Sequence, residues 1–264
     1  MFVLEVVAFI CVGLVAGFIS GLMGISGGVV IVPCLTLAFY LIHIPVEFRM
    51  HVVIGTALAT MVFGTFASSH THRKHGRVLF PIVKPMIVGI IVGTVTGSGI
   101  AKFLPGQVLR ILFGMTELAV GIRFILPVKE ATRHTSLPSK GMLMLIATGV
   151  ATISTVLGIG LLYVPILIYS GVPTKKAIGT ASMLGFITVV SATCFLFVTG
   201  RGTVSYPLTS GWIYVPAFLA VGIGLVCMAP VGAKVTTHLP TAVLHRVFGS
   251  VLLIAGLILI FGRS

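Results

Sequence analysis

Gly17–Pro33 reads GFISGLMGISGGVVIVP, and Gly149–Pro165 reads GVATISTVLGIGLLYVP. In each stretch an apolar run is broken by a glycine cluster, then resumes and reaches a Val-Pro. The clusters are Gly24-Ile25-Ser26-Gly27-Gly28 and Gly158-Ile159-Gly160. Gly17 aligns with Gly149, Gly28 with Gly160, and Val32-Pro33 with Val164-Pro165. A scattered glycine in an apolar helix permits close packing. Clustered glycines that interrupt the run, at matching places in two halves, instead let a helix break where protein surrounds it. The pattern predicts a duplicated bundle of apolar helices with one broken helix per half.

Composition carries the same reading outward. The chain has 264 residues, 57% of them hydrophobic and 8% charged, with a mean hydropathy of +1.21. A soluble domain usually carries about 25% charged residues to solvate its surface, so this chain cannot cover one. The apolar runs approach about 20 residues, the length that crosses a hydrocarbon core of about 30 Å. They lack strict alternation, which reads as helices rather than barrel strands. The N-terminus carries Glu5 where a signal peptide would be basic, so it reads as the first membrane segment. The net charge of +13 comes from residues flanking the apolar runs, as membrane anchors do. No soluble basic domain is present for nucleic acid to bind. Cys11, Cys34, Cys194 and Cys227 form no CxxC pair and read as small packing residues.

Ten apolar segments can be drawn, of which eight to ten are expected to span. They run roughly 3–23, 27–45, 52–69, 79–101 and 106–127, then 140–157, 159–172, 177–199, 211–232 and 241–261. Further matches link the halves. Ile54-Gly55-Thr56-Ala57 recurs as Ile178-Gly179-Thr180-Ala181, Pro81 as Pro207, Ala101-Lys102 as Ala233-Lys234, and Phe113-Gly114 as Phe248-Gly249. Matches in one order at similar offsets argue for internal duplication. The expected organisation is a first transmembrane repeat over 1–127, a polar basic linker over 128–139 and a second repeat over 140–264. Five segments per repeat would invert the halves relative to each other. One side then collects most basic residues, from Arg73, Lys74 and Arg77 to Lys175 and Lys176, and should be cytoplasmic. Arg49, Lys102, Arg201 and Arg263 fall on the other side.

The chemistry-bearing residues are few. The acids are Glu5, Glu47, Glu117 and Glu130, with no pair at helix spacing for acid–base work. No His-x-x-x-His or Gly-x-Ser-x-Gly motif occurs, and His70, His72 and His75 lie in the basic stretch HTHRKHGR. No enzyme, metal or cofactor is expected. The glycine breaks carry the functional reading. A helix restarting after a break exposes free N–H groups and the positive end of its dipole. Two such ends would bind an anion without any full charge, so Gly24, Gly27, Gly28, Gly158 and Gly160 are candidate substrate-binding positions. Ser26, Ser154 and Thr155 lie in or beside the breaks and can cap helices or donate to substrate oxygens. Thr56 and Thr180, in the repeated Ile-Gly-Thr-Ala element, read as further helix starts aimed at the same centre. Glu117 is the acid deep in a predicted span, a candidate for carrying a coupling proton. Lys84, Arg110 and Arg246 lie near segment ends and read as snorkelling cations.

The run GLMGISGGVVIVP resembles the signature of the TauE/SafE family of membrane proteins, the sulfite exporters. That signature is Gly-x-Gly-Gly-Gly, an apolar stretch and Val-Pro, followed by an Ala-x-Gly-Thr-Ser-like element. Gly24, Gly27, Gly28, Val32 and Pro33 match its first part, with Ser26 in place of the usual middle glycine. Ile54–Ala57 matches the second part loosely. In the second half Gly158, Gly160, Val164 and Pro165 match, and Ile159 replaces a glycine. The resemblance covers nearly the whole chain. It implies secondary transport of sulfite, sulfonates or similar organic anions across a prokaryotic inner membrane.

The sequence therefore predicts an all-α polytopic membrane protein that moves a small anion. The rivals are an uncoupled anion channel and, less favoured, an integral membrane enzyme. Expected partners are the lipid bilayer, the anionic substrate and a coupling proton or other ion, with a homodimer left open.

Overall fold

The computed structural model describes residues 2–23, 27–126, 138–157, 162–204, 206–236 and 241–262. The described chain is almost entirely helical. The helices are α1 (Phe2–Met23), α2 (Gly28–Leu41), α3 (Val46–Lys74), α4 (Phe80–Phe103) and α5 (Gly106–Ile125). The second half gives α6 (Lys140–Leu157), α7 (Tyr163–Tyr169), α8 (Thr174–Thr199), α9 (Val215–Thr236) and α10 (Thr241–Phe261). Each predicted segment has its helix. The largest difference is α3, which extends beyond the apolar run at both ends. Hydropathy marks the part of a helix that lipid covers, whereas backbone hydrogen bonds continue as far as the chain allows. Here they begin at the Pro45 carbonyl and end with the Arg77 N–H, just past Gly76, whose φ is +65°.

A second difference precedes α9. The segment predicted from 211 instead opens with a small hairpin, β1 (Thr209–Ser210) and β2 (Ile213–Tyr214). Gly211 takes a φ of +64° at the first loop position, as a type II′ turn requires. The helix then starts at Val215, with Pro216 in its second position, where a missing N–H costs nothing. α4 starts in the same way, at Phe80 with Pro81. Pro216 thus holds the position in α9 that is held in α4 by Pro81. Pro207, paired with it by sequence, lies in the turn before the hairpin.

Among the described residues six helices are long and apolar enough to cross a membrane: α1, α3, α4, α6, α8 and α9. Many large apolar side chains are exposed, among them Val3, Leu4, Phe103, Leu145 and Phe261. A surface of this kind suits lipid, not water. The threonines within helices mostly bond their own backbone. Thr60 donates to the Thr56 carbonyl at 2.8 Å, Thr116 to Leu112 at 2.7 Å and Thr148 to Met144 at 3.0 Å. The protein is an integral membrane protein.

The chain folds as two compact units, each drawing on both sequence halves. The first comprises Met1–Gly64, Leu104–Val128 and Leu196–Ser264; the second comprises Thr65–Phe103 and Lys129–Phe195. In the first unit α1 packs on α9 through glycines four residues apart. A side chain at Gly13, Gly17 or Gly21 would strike the α9 backbone at Val221, Leu225 or Ala229. α5 packs on α10 with mutual glycine contacts: a Cβ at Gly114 would sit 2.9 Å from the Gly256 carbonyl oxygen, and one at Gly121 3.0 Å from that of Gly249. In the second unit Gly89, Gly93 and Gly97 of α4 give the same intimacy with Met144, Thr148 and Thr152 of α6. Within lipid no hydrophobic force draws helices together, so close backbone approach supplies the dispersion energy instead.

Candidate functional site

The first break lies in the first unit. α1 stops at Met23 and α2 restarts at Gly28, with Gly27 as its N-cap and no side chain among the described residues capping it. The N–H groups of Val30 and Ile31 both reach the Gly27 carbonyl, at 3.0 and 2.9 Å. Gly28 through Pro33 are all buried. Gly24 and Ser26 lie outside the described residues. Pro33 falls in the second turn of α2, one turn later than a first-turn proline.

The second break lies in the second unit. α6 ends at Leu157, and α7 restarts at Tyr163 behind Leu162, again without a side-chain cap among the described residues. Gly158 and Gly160 lie outside the described residues. Ser154 and Thr155 sit in the last turn of α6, both buried. Thr155 donates to the Ala151 carbonyl at 2.8 Å, so its proton is used within the helix. The Ser154 hydroxyl meets no hydrogen-bond partner among the described residues. A second hydroxyl of this kind is Ser98, buried on α4, the helix packed against α6. The sequence reading passed over Ser98, because one serine in a glycine-rich span carries no pattern.

Tyr163 was also missed. Its side chain is fully buried and its hydroxyl lies 2.9 Å from Thr188 Oγ1. Thr188 spends its own proton on the Leu184 carbonyl at 2.9 Å, so Tyr163 donates. This bond ties the restart of α7 to α8.

Thr56 and Thr180 do not start helices. They lie inside α3 and α8, and both are fully buried. Thr56 Oγ1 accepts a hydrogen bond from the Tyr214 N–H at 3.0 Å, and Thr180 Oγ1 accepts one from the Leu79 N–H at 3.0 Å. Each donor immediately precedes a helix, α9 or α4, where the first N–H groups lack partners within the helix. The neighbouring glycine completes the joint. A Cβ at Gly55 would meet Trp212 Cβ at 2.9 Å, and one at Gly179 would meet Arg77 Cβ at 2.7 Å. In both joints the glycine seats a residue two positions before the N–H that the threonine caps. The Ile-Gly-Thr-Ala element is therefore a docking joint, used once in each unit. The sequence found its recurrence but could not name the strand or loop it receives. Thr56→Val and Thr180→Val should each cost about 1–3 kcal/mol, the usual consequence of an unsatisfied buried donor. Thr→Ser at either position should restore most of it, read as thermal unfolding of the purified protein.

Glu117 lies on α5 and is 1% exposed. Neither carboxyl oxygen has a hydrogen-bond partner among the described residues. It lies within electrostatic reach of Cys34 on α2, the helix that restarts at the first break. No group of three His, Cys, Asp or Glu able to hold a metal occurs among the described residues.

A lipid-exposed helical bundle with interrupted, uncapped helices and a buried lone carboxyl has the make-up of a membrane transporter. Comparison with known proteins agrees. The chain belongs to the family described as Sulfite exporter TauE/SafE, which it matches over residues 9–259. It is similar to a probable membrane transporter protein of Haemophilus influenzae, 28% identical over 93% of this chain and 94% of the relative. It is likewise similar to the probable membrane transporter protein YdhB of Bacillus subtilis, 28% identical over 93% and 96% of the two chains. A third relative is the probable membrane transporter protein MJ0441 of Methanocaldococcus jannaschii, 24% identical over 98% and 97%. No solved structure matches the chain significantly.

Proposed function

We propose that this transporter is a secondary carrier for a small sulfur-containing or organic anion, of the sulfite or sulfonate kind. The observation that carries the proposal is the pair of uncapped helix restarts, α2 and α7, at corresponding places in the two halves. Helix N-termini present N–H groups and a positive dipole end to an anion, and in a low-dielectric surrounding they need no full charge to hold it. Gly24, Gly27 and Gly28 are assigned to anion binding at the first break, with Ser26 as a hydroxyl donor, and Gly158 and Gly160 at the second break, with Ser154. The hydroxyls of Thr155, Thr56 and Thr180 serve the backbone, so these residues are assigned a supporting role.

The two halves are taken as inverted repeats. Contacts inside the first unit support this. Gly114 meets Gly256 and Gly121 meets Gly249, so α5 and α10 run antiparallel through the contact. By the sequence match Gly114 corresponds to Gly249, and Gly121 to Gly256. Each contact is therefore the other's counterpart, as a two-fold axis demands. An axis that relates two antiparallel membrane helices lies in the membrane plane and inverts one half. The pairing of α1 with α9 and of α6 with α4 follows the same exchange.

Glu117 is assigned as the coupling group, which favours a carrier over a channel. The test is uptake of labelled sulfite, sulfate, thiosulfate and sulfoacetate into proteoliposomes, with and without a pH gradient. Accumulation of one of them above equilibrium under the gradient is the expected result. Flux that only equilibrates would make the protein a channel or uniporter, and the coupling assignment would fall.

A further inference from the structure

A cavity of about 260 Å³ opens in the first unit. It is formed where the end of α2, the start of α3, the start of α5 and the end of α10 come together. Two guanidinium groups line it, Arg49 from α3 and Arg110 from α5. The two are close enough to act on each other electrostatically. Like charges placed together in a half-buried cavity repel, and the arrangement is costly unless something negative enters it.

Both arginines are held by neutral groups. Arg49 Nε donates to the Ile44 carbonyl at 3.0 Å, and its guanidinium lies 5.3 Å from the Tyr40 ring centroid. Arg110 Nη1 donates to the Gly262 carbonyl at 2.9 Å, and its Nε is buried without a partner among the described residues. Among the described residues neither guanidinium meets a carboxylate. Each is thus oriented through one donor, with further N–H groups to offer. Arg110 is not the solvent-seeking cation that its position near a segment end suggested; it folds over the end of α10.

The rest of the lining fits an oxyanion. Gly106 and Gln107 open α5, whose first turn has no side-chain cap. The mouth is bordered by exposed Leu37, Val46 and Ile258, so an apolar group attached to the anion would find a place.

We infer that the cavity between Arg49 and Arg110 is a second anion site, which takes a phosphoryl or sulfonyl group carried by either a soluble oxyanion or an acidic lipid headgroup. Planar guanidiniums match two oxygens of such a group at once. The site stands on contacts within one unit and does not depend on the glycine breaks or on the substrate proposed above.

The experiment uses the full chain in a neutral detergent, titrated with sodium sulfate, sodium phosphate and phosphatidylglycerol. Binding is followed by thermal shift and, for the lipid, by native mass spectrometry. At least one probe should bind, and Arg49→Gln and Arg110→Gln should each weaken it tenfold or more. Arginine-dependent binding of sulfate or phosphate identifies a soluble oxyanion; arginine-dependent binding of phosphatidylglycerol alone identifies a lipid headgroup. Binding of none, or binding unchanged in both variants, overturns the inference. Should a variant fail to fold, protection of Arg49 and Arg110 from phenylglyoxal by the same probes, read by peptide mass spectrometry of the unaltered protein, takes its place. Absence of protection would then overturn the inference.

Discussion

Gly17→Leu should abolish recovery of folded protein, while Gly149→Leu leaves yield and melting temperature nearly unchanged. The two glycines are counterparts by sequence, so a reading of the sequence alone expects equal effects. The structure separates them. A Cβ at Gly17 would lie 2.7 Å from the Leu225 carbonyl oxygen and 2.8 Å from its Cα. Those are backbone atoms, which cannot rotate away, and neighbouring Gly13 and Gly21 meet the same helix. Leucine at 17 must force α1 from α9 along its length. Overpacking usually costs about 1–3 kcal/mol, and a contact of this kind belongs at or above the top of that range. A Cβ at Gly149 meets nothing within 4 Å, so leucine there extends into lipid from an exposed helix face. It also removes a residue about 1 kcal/mol worse than alanine within a helix. Size-exclusion profiles of tagged variants, followed by thermal unfolding, decide the matter. Equal behaviour of the two would refute the packing account.

The second large effect is on coupling. Glu117→Gln should convert gradient-driven accumulation into flux that merely equilibrates, with exchange of labelled substrate across the membrane retained. Glutamine keeps the shape of the side chain and removes the titratable proton. The carboxyl is buried, and its oxygens have no hydrogen-bond partner among the described residues. A structural ion pair or hydrogen-bonded brace would show such partners, because burying an unpaired polar group is costly. Glu117 lies within electrostatic reach of Cys34 on α2, the helix that restarts at Gly28. Accumulation by Glu117→Gln equal to the unaltered protein would remove Glu117 from the coupling mechanism.

What could be read from the residues differed sharply between helices and joints. Lipid demands runs of apolar residues with internally paired backbones, so every helix left its mark as a run, and both breaks showed as glycine clusters. The family likeness rested on those clusters, and it holds over residues 9–259. Thr56 and Thr180 were legible as a repeat but not as a joint. Their partners, Tyr214 and Leu79, lie far away along the chain, and nothing local marks a backbone N–H that needs an acceptor. Ser98, Tyr163 and the Arg49–Arg110 cavity were missed for the same reason. A lone serine, tyrosine or arginine acquires meaning only from what packs beside it.

The sequence by itself determined the solvent of this protein, its helical class, the positions of its interruptions and its family. These follow from composition and spacing along one chain, because transfer to lipid acts on each segment separately. Only the tertiary structure decided which glycines are packing sites and which face lipid, why the Ile-Gly-Thr-Ala element recurs, and which buried polar groups stand without partners among the described residues. Those depend on pairs of residues far apart in sequence, and close contact in a membrane is set by the shapes of two helix faces together.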